Sequence, residues 1–314
     1  MKKDILISSR SFGKVDSEAV NLLKEEEVNV ISNKTGKKLT EEQILNYIYN
    51  NNIVGIVAGT EKISKKIIDS AKNLSVISRY GVGINNIDQK CAKKKGILVF
   101  NTPKSPSISV AELTLALILN LNKKITLLDK RLKNQNWEPE LGHLLSNKTI
   151  GIIGLGRIGK KLVEFLSPFE VNTLVYDIKP NDIFISKWKL KKVSFKTLIK
   201  ESDIISVHIP LSKKTKYLID KKEISLMKKN AILINTSRGG IINEDALYNA
   251  LKNKKIYGAA IDAFENEPNV GRLINLDNII LTPHIGTFTA ETRKEMEIES
   301  INNLIYGLKK KGIL

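Results

Sequence analysis

The chain is predicted to be an α/β protein with two doubly wound parallel sheets, and three observations predict it. Short apolar runs of strand length alternate with segments of helical spacing along almost all of its 314 residues. That length suffices for two domains of ordinary size, each with its own core. The alternation also falls into two series, separated by a long helical stretch.

In the first series DILISS (4–9), VNVISN (28–33), IVGIVAG (53–59), LSVISRY (74–80) and ILVFN (97–101) are predicted strands. Helical spacing fills 16–26, 41–50, 65–72 and 86–94 between them. One extended helix is expected over 107–133, with Ser109 as N-cap and Glu112 closing a capping box. The second series has strands TIGIIG (149–154), NTLVYD (172–177), IISVHIP (204–210), AILINTS (231–237), GAAIDAF (258–264) and IILTPH (279–284). Its helices fall near 157–166, 194–200, 220–228 and 243–252, and a last helix covers 289–309. Short connections imply right-handed crossovers. The chain is therefore expected to start in one domain, enter a second, and return to the first through its final helix. The predicted division is 1–100 plus 287–314 against 101–286, with crossings near 101–106 and 284–287. Neither an internal repeat nor a low-complexity linker is evident.

Composition narrows the class. The hydrophobic fraction of 42% and the charged fraction of 27% are ordinary for a globular protein. No apolar run reaches the ~20 residues of a membrane-spanning helix; the longest, 110–121, contains Glu112, Thr114 and Asn120. The opening MKKDILISSR is too short in apolar residues for a signal-peptide core. Cys91 is the single cysteine, which excludes an intrachain disulfide, and a cytoplasmic location is expected. The net charge of +18 comes from lysines scattered as pairs such as Lys65–Lys66, Lys123–Lys124, Lys191–Lys192 and Lys228–Lys229. An arginine-rich arm, interleaved aromatics and zinc-finger spacing are lacking, so neither a nucleic-acid partner, a membrane nor a bound metal is expected.

The strongest motif is Gly154-Leu155-Gly156-Arg157-Ile158-Gly159, between a buried strand and an amphipathic helix. Gly154 permits the tight turn, Gly156 lets a diphosphate approach the backbone, and Gly159 lets helix and strand pack closely. The amides of Arg157 and Ile158 then open a helix, where unpaired N–H groups and the helix dipole attract an anion. Asp177 ends the next strand, 18 residues beyond Gly159. Its carboxylate suits the two ribose hydroxyls and repels a 2′-phosphate, which predicts NAD as cofactor.

Hydride transfer to a carbonyl also requires a proton donor and a cation. Of the three histidines, His143 follows the long helix as a packing residue and His208 ends a strand, where it caps a loop. His284 ends the last strand, where open α/β sheets place their ligands, and imidazole exchanges protons near neutrality. Arg238 in INTSRGG precedes a double glycine, an awkward place for a structural arginine. A carboxylate from IDAFENEP would fix the tautomer of His284 and raise its pKa. Spacing does not choose between Glu265 and Glu267.

Seven blocks together resemble the D-isomer-specific 2-hydroxyacid dehydrogenases, the family that includes phosphoglycerate dehydrogenase. They are RYGVGINNID (79–88), NTPKSPSISVAEL (101–113), GIIGLGRIGK (151–160), HIPLSKKTKYLI (208–219), INTSRGGIINEDAL (234–247), IDAFENEP (261–268) and TPHIG (282–286). The resemblance implies a Rossmann NAD-binding domain and a discontinuous, flavodoxin-like substrate domain. It implies that Arg238 holds the substrate's carboxylate and keto oxygen, that Glu267 pairs with His284, and that His284 donates and accepts the proton. On the cofactor side it implicates His208, Ile209, Pro210, Thr215, Thr236, Ser237, Asp262 and Gly286. The backbone at Val82 and Gly83 is implied to bind the substrate carboxylate. A homodimer through the nucleotide domain, with the helix near 107–133 at its interface, is implied as well.

The blocks also depart from the family pattern. Asn85 stands where Asp is usual, Lys104 and Pro106 occupy a loop that often reads Gly-x-Asn, and VAGTEKI (57–63) lacks a phosphate-meeting arginine. A regulatory domain after Leu314 is not expected. Arg10, Arg79 and Lys104 are the candidates for an anionic substrate tail. The expected activity is interconversion of a small anionic D-2-hydroxy acid and its 2-keto acid, with 3-phosphoglycerate, hydroxypyruvate, glyoxylate and D-lactate as candidate substrates. An NADH-sensing, corepressor-like binding protein is the alternative from another class.

Overall fold

Each strand series forms its own all-parallel sheet. The computed structural model describes residues 3–14, 18–268 and 271–314. The chain divides into two units, Met1–Pro106 with Phe288–Leu314, and Ser107–Thr287.

The first unit runs β1 (Asp4–Ile7), α1 (Glu18–Lys24), β2 (Asn29–Ser32), α2 (Glu41–Asn50), β3 (Ile53–Ala58), α3 (Lys65–Ser70), β4 (Val76–Arg79), α4 (Gln89–Lys94) and β5 (Leu98–Asn101). Its strand order is β2-β1-β3-β4-β5, every neighbour parallel. All six residues of β3 are buried, as a strand covered on both faces requires. The expected helix at 16–26 begins at Glu18 among the described residues; Asp16 lies outside them.

The second unit contains α5 (Pro106–Lys123), α6 (Ile125–Lys133), β6 (Thr149–Ile153), α7 (Arg157–Leu166), β7 (Asn172–Tyr176), α8 (Asp182–Lys187), β8 (Lys191–Lys192), α9 (Phe195–Glu201), β9 (Ile204–Val207), α10 (Lys221–Leu226), β10 (Ile232–Asn235), α11 (Glu244–Lys252), β11 (Gly258–Ile261) and β12 (Ile279–Leu281). The order β12-β11-β10-β9-β6-β7-β8 reverses direction between β6 and β9. In such sheets the carboxyl ends of the strands flanking the reversal form the ligand crevice. The last helix, α12 (Ala290–Lys310), returns to the first unit. It buries Met296, Ile301, Leu304 and Leu308 with Ile5, Ile7, Val54 and Val57. Among the described residues no helix is long and apolar enough to cross a membrane.

Three expectations need correction. The helix over 107–133 is two helices, broken at Lys124, whose backbone is left-handed (φ 56°). Asn120 Oδ1 accepts the Thr126 amide at 2.9 Å and starts the second helix. Ser109 is not an N-cap: the helix already begins at Pro106, a residue suited to a first turn, and the Ser109 hydroxyl donates to the Gly286 carbonyl at 2.8 Å. A division after residue 100 would cut β5, whose last residue Asn101 pairs with Arg79, and the chain leaves the first unit only after Pro106. The short α8 and β8 were not foreseen.

Candidate active site

The glycine loop after β6 is shaped by three different constraints. Gly154 has φ +98°, and a Cβ there would come within 2.7 Å of the His208 carbonyl and of Ile209 Cγ2. A Cβ on Gly159 would overlap the Gly154 carbonyl. At Gly156, the N-cap of α7, nothing lies within 4 Å of the Cβ position. The first two glycines are therefore required by the protein itself, whereas Gly156 opens space in front of a helix N-terminus. Arg157 and Ile158 occupy the first two helical positions, where amides have no intrahelical acceptor. Asp177 follows β7 directly; its Oδ2 accepts the Leu155 amide at 2.6 Å and its Oδ1 accepts the Lys179 amide at 2.7 Å. Carboxylate oxygens so held keep further lone pairs for ribose hydroxyls. Open space, anion-attracting amides and a fixed carboxylate fit NAD, which Gly154, Gly156, Arg157, Ile158 and Asp177 would hold.

The segment after β9 lies beside this loop. The His208 amide continues the ladder by donating to the Ile153 carbonyl at 2.8 Å, so the residue extends the strand rather than capping a loop. Its Nε2 lies 2.8 Å from the Ser206 hydroxyl, and its Nδ1 is buried without a partner. Burial pushes the His208 pKa down to about 4, so the ring is neutral near pH 7. Thr215 closes the next loop, its hydroxyl donating to the Pro210 carbonyl and accepting the Ser212 amide, both at 2.7 Å.

Three loops at other strand ends carry the polar chemistry. After β10, the Asn235 side chain ties its own turn: Oδ1 accepts the Ser237 amide and hydroxyl, and Nδ2 donates to the Arg238 carbonyl. Thr236 is buried, its hydroxyl 2.9 Å from that of Thr114 on α5. The Arg238 guanidinium donates to the Ser237 carbonyl at 2.6 Å. Burial lowers its pKa and the Glu267 charge raises it, yet a guanidinium stays protonated.

After β11, Asp262 is 1% exposed and holds the loop after β12. It accepts the Thr282 hydroxyl at 2.7 Å and the amides of Ile285 and Gly286 at 2.8 and 2.9 Å. Burial raises its pKa against those bonds. Between the clamped residues, His284 adopts a left-handed backbone (φ 54°), unusual for a non-glycine residue and frequent at functional sites. Its Nδ1 lies 2.7 Å from Glu267 Oε1, which also accepts the Phe264 amide at 3.1 Å. Burial pushes the Glu267 carboxyl upward. The His284 bond and charge, the Phe264 amide and Arg238 outweigh it and hold the pKa below the usual range. An ionised Glu267 keeps the proton on Nδ1 and leaves Nε2 for exchange. Glu265, the residue left open by spacing, instead accepts the Tyr217 hydroxyl at 2.5 Å.

Arg238, Glu267 and His284 thus gather within the second unit, with Thr236, Ser237, Asp262 and Gly286 on the adjoining loops. The contacts by which Asn235, Thr114, Ser109 and Thr282 tie these loops do not follow from the sequence pattern; for Asn235 the available signal is a polar residue closing an apolar strand. The remaining candidates lie in the first unit. Arg10 is exposed after β1, and Arg79 ends β4 with its guanidinium against Gly81. Val82 is exposed, its carbonyl accepting Asn101 Nδ2 at 2.7 Å, with Gly83 next to it; Lys104 is exposed after β5. Among the described residues no group of His, Cys, Asp or Glu is arranged to hold a metal ion.

Comparison with known proteins places this geometry. Residues 115–286 match the family model of the D-isomer specific 2-hydroxyacid dehydrogenase, NAD binding domain. The chain is 42% identical over 281 residues to a D-3-phosphoglycerate dehydrogenase of Methanocaldococcus jannaschii, covering 88% of this chain but only 53% of that protein. It is 37% identical over 302 residues to a hydroxypyruvate reductase of Thermotoga maritima, covering 94% of this chain and 96% of the relative. Among solved structures, a glyoxylate reductase from Paecilomyes thermophila superposes with a TM-score of 0.88 at 27% identity, over 99% of this chain and 96% of that one. The chain belongs to the D-isomer specific 2-hydroxyacid dehydrogenase family, and residues 115–286 are its NAD-binding domain.

Proposed function

We propose that the chain interconverts a small anionic D-2-hydroxy acid and its 2-keto acid. The observation that carries this reading is the 2.7 Å contact between His284 and Glu267, in the same unit as Arg238 and the glycine loop. NAD, when bound, supplies or accepts the hydride. Arg238 holds the substrate's carboxylate and polarises its carbonyl oxygen. In reduction His284 gives the Nε2 proton to the oxygen as it becomes an alkoxide; in oxidation it takes that proton back. Glu267 stabilises the imidazolium in either direction. Asp177 disfavours a cofactor with a 2′-phosphate.

The substrate reading favours hydroxypyruvate or glyoxylate over 3-phosphoglycerate. The hydroxypyruvate reductase matches this chain almost end to end. The segment 57–63 carries Glu61, a buried carboxylate bound by the Ser8 hydroxyl and the Gly59 amide, where a phosphate would need a cation. Val82 and Gly83 are assigned the substrate carboxylate, and Arg10, Arg79 and Lys104 the recognition of any anionic tail.

A homodimer in the cytoplasm completes the proposal. Exposed apolar side chains cluster along α6 and the segment after it: Ile125, Leu132, Trp137 (83% exposed), Leu141 (92%) and Leu144. Such a run is unusual on a monomer's surface. Sedimentation should give twice the chain mass, and Trp137→Glu should return a monomer.

The activity is tested by following NADH absorbance with hydroxypyruvate, glyoxylate, D-lactate and 3-phosphoglycerate. His284→Ala should lower turnover about 10²–10⁴-fold with NAD binding nearly intact, and Arg238→Ala should act likewise. Wild-type turnover in the His284 variant, or inactivity toward every acid despite NADH binding, would overturn the proposal.

A further inference from the structure

Glu244 is the first residue of α11, six positions beyond Arg238, and its carboxylate is half-buried. Its Oε1 accepts the amide of Glu265 at 2.6 Å, within the loop that presents Glu267. The same loop is gripped on two other sides. Tyr217 donates to the Glu265 side chain, and Gly239 lies so close that a Cβ there would overlap the Phe264 carbonyl.

The charges around Glu244 are unfavourable to it. Glu267 has His284, Glu265 has Lys216 at 3.7 Å, and Asp245 has Arg272 at 2.7 Å. Among the described residues no cation pairs with Glu244 itself, which faces all three carboxylates. Burial, first, and then these neighbours raise its pKa, against the pull of the Glu265 amide. A neutral acceptor would be less costly here than an acid. What the carboxylate supplies is a strong, directed acceptor for one amide.

We infer that Glu244 is a positioning residue: it ties the loop bearing Glu267 to the helix that follows Arg238, so that the carboxylate orienting His284 and the substrate-holding guanidinium keep one spacing. This rests on the roles proposed above for Arg238, Glu267 and His284. A charge-assisted bond to an amide is among the stronger hydrogen bonds, and small misplacements of reacting groups are costly in rate.

The test uses Glu244→Ala, Glu244→Gln and Glu244→Asp in the full chain, read by steady-state kinetics, NAD affinity and NMR titration of the His284 imidazole. Glu244→Ala should lower kcat about tenfold with NAD affinity unchanged, and displace the His284 ring signals as Glu267 loosens. Glu244→Gln keeps an acceptor of the right reach and should recover kcat to within about threefold. Glu244→Asp keeps the charge but falls short of the amide, so it should follow the alanine variant; it serves if alanine does not fold. A lowered Tm in all three variants with wild-type kcat and His284 titration would overturn the inference. So would Glu244→Gln behaving as badly as Glu244→Ala. If the wild type reduces no acid at all, the activity reading fails, but the His284 titration still decides the role of Glu244.

Discussion

Two glycine-rich turns of the second unit look alike in sequence and are built for opposite reasons. The loop Gly154–Gly159 leaves space at Gly156, where nothing lies within 4 Å of a Cβ position. The turn Gly239–Gly240 has no such space: Gly239 is pressed against the peptide that joins Phe264 to Glu265, and Gly240 has φ +76°. One turn leaves room for a ligand, the other is filled by the neighbouring loop that carries Glu267. A glycine in a motif therefore signals close approach, without telling whether a ligand or the protein approaches.

Substitutions can separate the two. Gly239→Ala should have the largest effect, because the overlapped backbone must move. A stability loss of about 3 kcal/mol, together with collapse of turnover, is expected in thermal melts and NADH assays. Acid should act almost as strongly, through the strand end beside the open loop. The folded His208 pKa of about 4 lies below its ordinary 6.5, so the unfolded chain takes up a proton that the native one refuses. Stability is then full above about pH 6.5 and declines as pH falls toward 4, by about 3 kcal/mol in total. Denaturant melts across that window should show it, and His208→Gln should flatten the decline.

Gly156→Ala should leave the melting temperature unchanged while weakening NAD binding about tenfold, a loss seen by fluorescence titration. If instead Gly156→Ala melted early and Gly239→Ala did not, the contrast between the turns would be wrong. The smallest effect belongs to Asp177→Asn. It should lower the preference for NAD over NADP severalfold, measured as the ratio of kcat/KM values, because removing the charge relieves repulsion of a 2′-phosphate.

The sheets and the dinucleotide loop were legible because backbone geometry restricts residue type. Buried parallel strands read as apolar runs, and a turn that must approach its neighbours reads as glycine. Arg238 and His284 stood out as polar residues at strand ends. The choice between Glu265 and Glu267 was not legible from spacing, since both lie in one irregular loop; hydrogen bonds separate them, one to Tyr217 and the other to His284. The break at Lys124 was hidden because helical spacing of apolar residues continues through it, and one left-handed residue leaves no mark on that pattern. Ser109 looked like a cap because cap patterns are local, whereas its real acceptor, Gly286, is far away in sequence. The role inferred for Glu244 was invisible for the same reason: its partner lies 21 residues on.

The discontinuity of the first unit bears on how the protein is made. Its sheet presents Ile5, Ile7, Val54, Val57 and Val76 on the face that α12 covers, and α12 is translated only after the whole second unit. The second unit is one contiguous stretch, completed before α12 is made. At typical elongation rates the uncovered face waits roughly 10–40 s between synthesis of β5 and of α12. During that interval the nascent chain carries an apolar sheet surface attractive to chaperones. Truncations ending before α12 should be aggregation-prone through the first unit, while the second remains protease-resistant.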